Sequence, residues 1–364
     1  MRRREFLKLV GRGVAFTPVL LCAQKVNSES STEWVPAIEA FKRRVPELME
    51  AHHVPGASLA IFAGDEIKYR CGFGLKDAAT KAPVDPDTIF EAVSMSKPVF
   101  AYAVMKLCEA GVMKLDTPLT KYTPERFLKG DPRLDLITAR QVLCHTSGFE
   151  NWRSKKDPLA IHFMPGSKWQ YSGEGYSYLQ SVVEHVTQQP IQEYMKKHIF
   201  EPFGMASSGH VWNELFEKRM ARPHDALGRA QNNKKSTPAD VVRYGSSGAL
   251  LTTPSDYARF YLEVLDPKPA DAFRLSKASL AEMLRPQIKA AETSAYTIWW
   301  GLGWRLVHTK AGDVFGHGGD NEGFHCESAA SIKRKDGFVI MTNGEGGGSL
   351  LQELLTGKLM KPFL

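Results

Sequence analysis

The chain has 364 residues, of which 43% are hydrophobic, enough for one large domain or two lobes around a substantial core. No run of about 18 apolar residues, the length that spans a bilayer as a helix, occurs in it. The formal charge of +7 is concentrated at the start: without residues 1–24 there are 42 basic and 39 acidic residues, a balance that argues against a nucleic-acid-binding protein.

Arg3-Arg4-Glu5-Phe6-Leu7-Lys8, followed by a weakly apolar stretch from Leu9 to Cys22, resembles a bacterial twin-arginine export signal, a receptor-read address rather than a structural element. Residues 1–26 are read as that signal, the mature protein is expected to be periplasmic or secreted, and no integral membrane segment is expected after its removal. Leu21 is a poor match to the small residue expected before a lipidated cysteine at Cys22. Of the later cysteines, Cys71, Cys108, Cys144 and Cys326, most are expected as buried free thiols, since a large core needs no disulfide staple. No Cys-x-x-Cys or His-Glu-x-x-His spacing occurs, and neither a metal nor another cofactor is expected.

Trp34, Ile38, Phe41, Val45 and Leu48 share one side of a predicted helix over 34–51, which Pro55-Gly56 ends. Two β-like runs, 57–62 and 67–73, joined through Gly64-Asp65-Glu66, predict a hairpin. From 101 to 244 the pattern is mainly helical, with segments at 99–110, 138–144, 175–188 and 190–199 between Pro- and Gly-containing loops. Gln231 to Ser236 reads as a surface loop. A helix at 255–265 and β-like runs at 302–308, 313–317, 324–332 and 337–342 close the chain. An α/β lobe from residues 30–100 and 245–364, interrupted by a helical lobe at 101–244, is therefore expected, with a cleft between them.

Four clusters could carry chemistry. In Ser94-Met95-Ser96-Lys97 a serine at a helix start has a lysine three residues on, projecting from the same side. A desolvated amine can shed its proton and take one from the hydroxyl, which is otherwise a weak nucleophile. Tyr171, in Pro165-Gly166-Ser167-Lys168-Trp169-Gln170-Tyr171-Ser172-Gly173-Glu174, stands between a turn and a helix start. With its acidity raised by nearby lysines, that phenol could shuttle a proton to a leaving group. Phe315-Gly316-His317-Gly318-Gly319-Asp320 would let a strand edge approach a substrate closely and aim an N–H at an oxyanion. Cys144-His145 raises a thiol nucleophile, although adjacent residues seldom face each other.

Taken together and in order, these clusters resemble the serine hydrolase family of class C β-lactamases, low-molecular-weight penicillin-binding proteins, D-amino-acid peptidases and related esterases. The landmarks are Val54-Pro55-Gly56-Ala57, Ser94-Met95-Ser96-Lys97, His145-Thr146-Ser147-Gly148, Pro165-Gly166, Tyr171-Ser172, Gly301-Leu302-Gly303-Trp304, His317-Gly318-Gly319 and Thr342-Asn343. The resemblance implies an α/β fold of the α+β type: an antiparallel sheet flanked by helices, with an inserted helical lobe. It implies Ser94 as acyl-forming nucleophile and Lys97 and Tyr171 as proton-transfer partners, either of which could be the base. It also implies an oxyanion hole from the N–H groups of Ser94 and Asp320, and His317-Gly318-Gly319 as the substrate-lining strand where many relatives carry Lys-Thr-Gly.

Two departures bear on substrate. The relatives' Tyr-x-Asn is Tyr171-Ser172-Gly173 here, without a side-chain amide, and His317 replaces a permanent cation with a group mostly neutral above pH 7. Both disfavour β-lactam hydrolysis, and returning an asparagine at Gly173 is expected to raise β-lactam affinity. Gly173, Glu174, Trp152, Arg153 and Trp169 are read as bordering the cleft. The expected function is an exported, esterase-like or amide-cleaving serine hydrolase of small-molecule or peptide acyl substrates. The alternatives are a β-lactamase, a D-alanyl peptidase, a penicillin-binding sensor that acylates without turnover, or an inactive scaffold.

Overall fold

The computed structural model describes residues 20–21 and 35–356, except 155, 270 and 311. A two-residue strand, β1 (Leu20–Leu21), falls inside the stretch read as a signal and pairs antiparallel with Phe73 and Gly72; the rest of that stretch lies outside the described residues. The helical spacing forms α1 (Val35–Ala51) with Ile38, Phe41, Val45 and Leu48 buried, while Trp34 lies outside the described residues. β2 (Gly56–Ala63) and β3 (Glu66–Asp77) make the expected hairpin, and β4 (Ala82–Pro83) pairs on β3. Cys71 on β3 is disulfide-bonded, unlike the free Cys108, Cys144 and Cys326.

β5 (Phe90–Val93) runs into α2 (Ser96–Glu109). The helical stretch follows as α3 (Ala139–Leu143), α4 (Gly173–Thr187), α5 (Ile191–Met195), α6 (Glu214–Arg219) and α7 (Pro238–Tyr244). The run expected as one helix over 190–199 is α5 followed by a π-helical turn, Lys196–Phe200. β6 (Leu250–Thr252) returns to pair with β5, so the two ends of the helical stretch are hydrogen-bonded to each other. α8 (Pro254–Leu265), α9 (Lys277–Met283), β7 (Ile288–Glu292), β8 (Tyr296–Trp300), β9 (Arg305–Thr309), β10 (Gly312–Asn321), β11 (Phe324–Ser331), β12 (Asp336–Thr342) and α10 (Gly347–Thr356) complete the order.

The main sheet is antiparallel in the order β1-β3-β2-β12-β11-β10-β9-β8-β7. Strand alternation splits its apolar residues between two faces. Leu59 and Ile61 join α1 and α10 on one face; Ala60 and Phe62 join the larger core with α2, α4 and α8 on the other. β9 pairs with β10 only as far as Arg305 opposite Gly316, leaving residues 317–321 without a strand on that edge. There β10 crosses closely over β5, because Gly319 has no side chain. A Cβ on it would overlap the Ala92 carbonyl oxygen.

Gly319→Ala is therefore expected to lower stability by about 1–3 kcal/mol, the range for overpacking a filled interior, read as a lower denaturation midpoint. An unchanged midpoint would mean that β5 and β10 separate freely.

Candidate active site

Ser94 occupies the turn between β5 and α2, just ahead of the helix rather than on its first turn as the sequence suggested. Val93 before it has φ 48°, a region β-branched residues avoid, where the β5–β6 register shifts. Three bonds hold this turn: Ser96 Oγ donates to the Val93 carbonyl (2.6 Å), Leu250 N–H donates to Ser96 Oγ (3.0 Å), and Tyr257 donates to the Met95 carbonyl (2.8 Å). The second serine of Ser94-Met95-Ser96-Lys97 is thus structural, and the first is half-buried at the cleft.

Lys97, on the first turn of α2, is 1% exposed. Its Nζ lies 3.2 Å from Ser94 Oγ and donates to the Ser247 carbonyl at 2.7 Å. The amine sits over the rings of Tyr171 (4.7 Å) and Tyr176 (5.5 Å). Burial lowers its pKa to about 7, so a large neutral fraction exists at neutral pH. Ser247 was not foreseen from sequence, since it contributes a carbonyl, which every residue possesses.

Tyr171 stands beside Lys97 with its hydroxyl buried and no completed hydrogen bond. Burial raises its pKa, and Ser94 and Arg305 offset this only in part. The acidic phenol expected from neighbouring lysines is not what forms: the hydroxyl keeps its proton across the neutral range. His145 packs on the Tyr171 ring (centroids 4.2 Å apart) and accepts the Ser172 N–H on Nδ1 (3.1 Å). Burial holds His145 neutral. Cys144 turns instead to Thr146 Oγ1 (3.3 Å), and burial raises its thiol pKa, so the two adjacent residues form no thiol–imidazole pair.

His317 lies 4% exposed between Tyr171 and Trp300. Its Nδ1 donates to the Gly318 carbonyl (2.7 Å), and burial first, then Lys97, lower its pKa to about 3. The imidazole is thus neutral throughout the physiological range, more completely than exposure alone would give. Gly318, Gly319 and Asp320 continue along the unpaired edge, and the Asp320 carboxylate contacts His325 Nδ1.

The cleft has a volume of about 680 Å³; around Ser94 and Tyr171 its wall includes Asn151, Trp300, Arg305 and His317–Asp320. Arg305 donates to Glu327 at 2.8 Å. The strand pairing that brings Arg305, Glu327 and Trp300 together has no signature in the sequence. Gly173 and Glu174 do not reach the wall. The Trp152 ring occupies the space a Cβ on Gly173 would need. Glu174, 1% exposed, is held by Arg153, whose backbone N–H and Nε both donate at 3.1 Å. An asparagine at 173 would therefore displace Trp152 before it reached a ligand. Trp152, Arg153 and Trp169 are likewise not among the residues lining this cleft. Among the described residues no group of histidine, cysteine or acidic side chains could hold a metal ion, and no helix is long and apolar enough to cross a membrane.

The β-lactamase family model matches residues 41–356. The chain belongs to the β-lactamase family. Over 337 residues it is 28% identical to penicillin-binding protein 4 of Amycolatopsis lactamdurans, covering 86% of this chain and 87% of that protein. It is 24% identical over 318 residues to protein flp of Staphylococcus aureus strain MRSA252, covering 81% of this chain but only 60% of that protein. Its fold superposes with TM-score 0.75 on the octameric penicillin-binding protein homologue from Pyrococcus abyssi, 23% identical, over 90% of this chain and 79% of that one. A β-lactamase/D-alanine carboxypeptidase from Pseudomonas syringae gives TM-score 0.73 at 17% identity, over 89% and 99%. As a β-lactamase-family protein, this chain is a serine hydrolase acting through an acyl-enzyme.

Lys97→Met is expected to raise stability. Below pH 7 the amine is charged in both folded and unfolded states, and the full cost of burying it is present; between about 7 and 10.5 the unfolded state binds more protons, so that cost declines. The gain in unfolding midpoint should be largest at pH 7 and below and shrink towards pH 10. A gain that grows with pH would contradict the depressed pKa.

Proposed function

We propose that this protein is an exported, esterase-like serine hydrolase whose nucleophile is Ser94. The observation that carries this reading is a buried Lys97 amine, without a carboxylate partner among the described residues, 3.2 Å from Ser94 Oγ. In its neutral form the amine takes the Ser94 proton as Oγ bonds to the substrate carbonyl carbon. The N–H groups of Ser94 and Asp320 hold the oxyanion. The proton then passes from Lys97 through the Tyr171 hydroxyl to the leaving oxygen; the carbon–oxygen bond breaks and the alcohol departs. Water repeats the sequence on the acyl-enzyme, giving its proton to the same pair, and Ser94 leaves with a proton restored. The raised pKa of Tyr171 suits it to relay a proton and makes Lys97 the base.

The preference for esters rests on charge. Among the described residues lining the cleft, the permanent cation is Arg305, already paired with Glu327, and His317 is neutral. A substrate carboxylate thus meets no free cation there. The printed names of the relatives support a second reading, acylation by a penicillin with slow or no turnover. Labelling with a fluorescent penicillin, followed by its release, separates that reading from ester hydrolysis. The export proposal rests on Arg3-Arg4 and its apolar sequel; replacing both with lysine should leave the protein in the cytoplasm, and undiminished export would remove it.

Ser94→Ala should abolish serine-phosphonate labelling and lower kcat/KM for short-chain esters by at least about 10³-fold. Tyr171→Phe should cost about 10²- to 10⁴-fold in kcat, the range for losing a general acid. In the wild type, kcat/KM should climb with pH along an acid limb centred at about 7, because the base must be neutral. Ester turnover that survives Ser94→Ala would place the chemistry elsewhere.

A further inference from the structure

The end of α3 has the hydrogen bonds of a glycine-closed helix but no glycine. His145 N–H donates to the Val142 carbonyl (3.0 Å) and Thr146 N–H to the Gln141 carbonyl (2.7 Å). These are the paired bonds of a helix end whose closing residue turns left-handed, a place usually filled by glycine. Here that residue is His145, at φ 59° and fully buried. Its side chain carries a second cost: Nε2 has no hydrogen-bond partner among the described residues, and a buried polar group left so is destabilising. Neither cost is offset at the helix end, which a glycine would form more readily.

The residues on both sides of Tyr171 are bound to His145. Gln170 N–H donates to the His145 carbonyl (2.8 Å), and Ser172 N–H donates to its Nδ1 (3.1 Å). Between these two bonds the imidazole lies on the Tyr171 ring, with centroids 4.2 Å apart and planes 32° from parallel. Backbone and side chain of one left-handed residue thus grip the same three-residue segment. Because Nδ1 accepts, the neutral ring carries its proton on Nε2. The Tyr171 hydroxyl completes no hydrogen bond among the described residues, so the phenol is placed from its backbone and its ring rather than from its oxygen.

We propose that His145 is the positioning residue of the proton relay, holding the Tyr171 hydroxyl where it passes a proton from Lys97 to the leaving oxygen. This rests on the proposed ester hydrolysis at Ser94 and assigns the placement of its relay. His145 is not among the residues lining the cleft, so it acts through Tyr171 and not on the substrate. Displacing a reacting group by about 1 Å costs about 10²-fold in rate. That loss falls unequally on substrates: an alkoxide must be protonated to leave, whereas 4-nitrophenolate leaves without a proton.

The test compares 4-nitrophenyl butyrate with ethyl butyrate, which form the same acyl-enzyme and differ in the leaving group; kcat/KM reports the acylation step that separates them. His145→Gly suits the left-handed turn and removes the imidazole. His145→Asn also suits the turn and keeps an acceptor for the Ser172 N–H, losing only the ring. The ratio of kcat/KM for the 4-nitrophenyl ester to that for the ethyl ester should rise about 10²-fold in His145→Gly and about tenfold in His145→Asn, because the retained hydrogen bond restores about a factor of ten. In a Tyr171→Phe background, His145→Gly should move the ratio no further. An unchanged ratio in His145→Asn overturns the inference, as does an equal fall on both esters in either variant, which would make His145 purely structural. A rise that multiplies with that of Tyr171→Phe also overturns it, since His145 would then act elsewhere. If wild-type protein turns over neither ester, the hydrolase reading itself fails and takes this inference with it.

Discussion

Burial of the Lys97 amine, with no carboxylate beside it among the described residues, is the constraint on which the site depends. The Tyr171 and Tyr176 rings attract the ammonium form, worth about 0.5–2 kcal/mol. The drop from 10.5 to about 7 is a net bias on the order of 5 kcal/mol the other way, so desolvation wins. What remains is a single strong hydrogen bond to the Ser247 carbonyl, which fixes the amine without protonating it. A carboxylate in place of that carbonyl would keep the ammonium charged and disable it as a base.

A base in place is useful only if the nucleophile is held to it. The strained Val93 turn, pinned through Ser96 and Tyr257, does this from one side. From the other, β10 is drawn against β5: Gly319 permits the contact, Asn321 Nδ2 donates to Glu91 (2.9 Å), and Cys326 Sγ donates to the Glu91 carbonyl (3.2 Å). The separation between Ser94 and the Asp320 backbone is thereby set by packed elements rather than by a mobile loop. The Tyr171 and Tyr176 rings cover the amine, and His145 packs on both of them, a buried setting that goes with the low pKa.

Much of this was legible in the sequence because it was local. Ser94 and Lys97 are three residues apart, the hairpin and α1 follow periods of two and 3.6, and the motif order led to the family and its antiparallel sheet. Residues whose meaning depends on distant partners were read less well. Glu174 seemed to border the cleft until Arg153 folded over it, and Gly173 seemed open to a longer side chain until the Trp152 ring closed over it. Tyr171 was expected to be acidified by lysines, yet its burial dominates.

From the sequence alone came the chemical types of the reacting groups, their order and their family, because covalent spacing places a serine and a lysine on one side of a helix start. Tertiary structure decided their protonation and their surroundings: that Lys97 is desolvated, that His317 is neutral, that Arg305 is spent on Glu327 and that Asn151 faces the cleft. Solvation and charge pairing are properties of space shared by residues far apart in the chain, and only the folded arrangement of strands and loops defines that space.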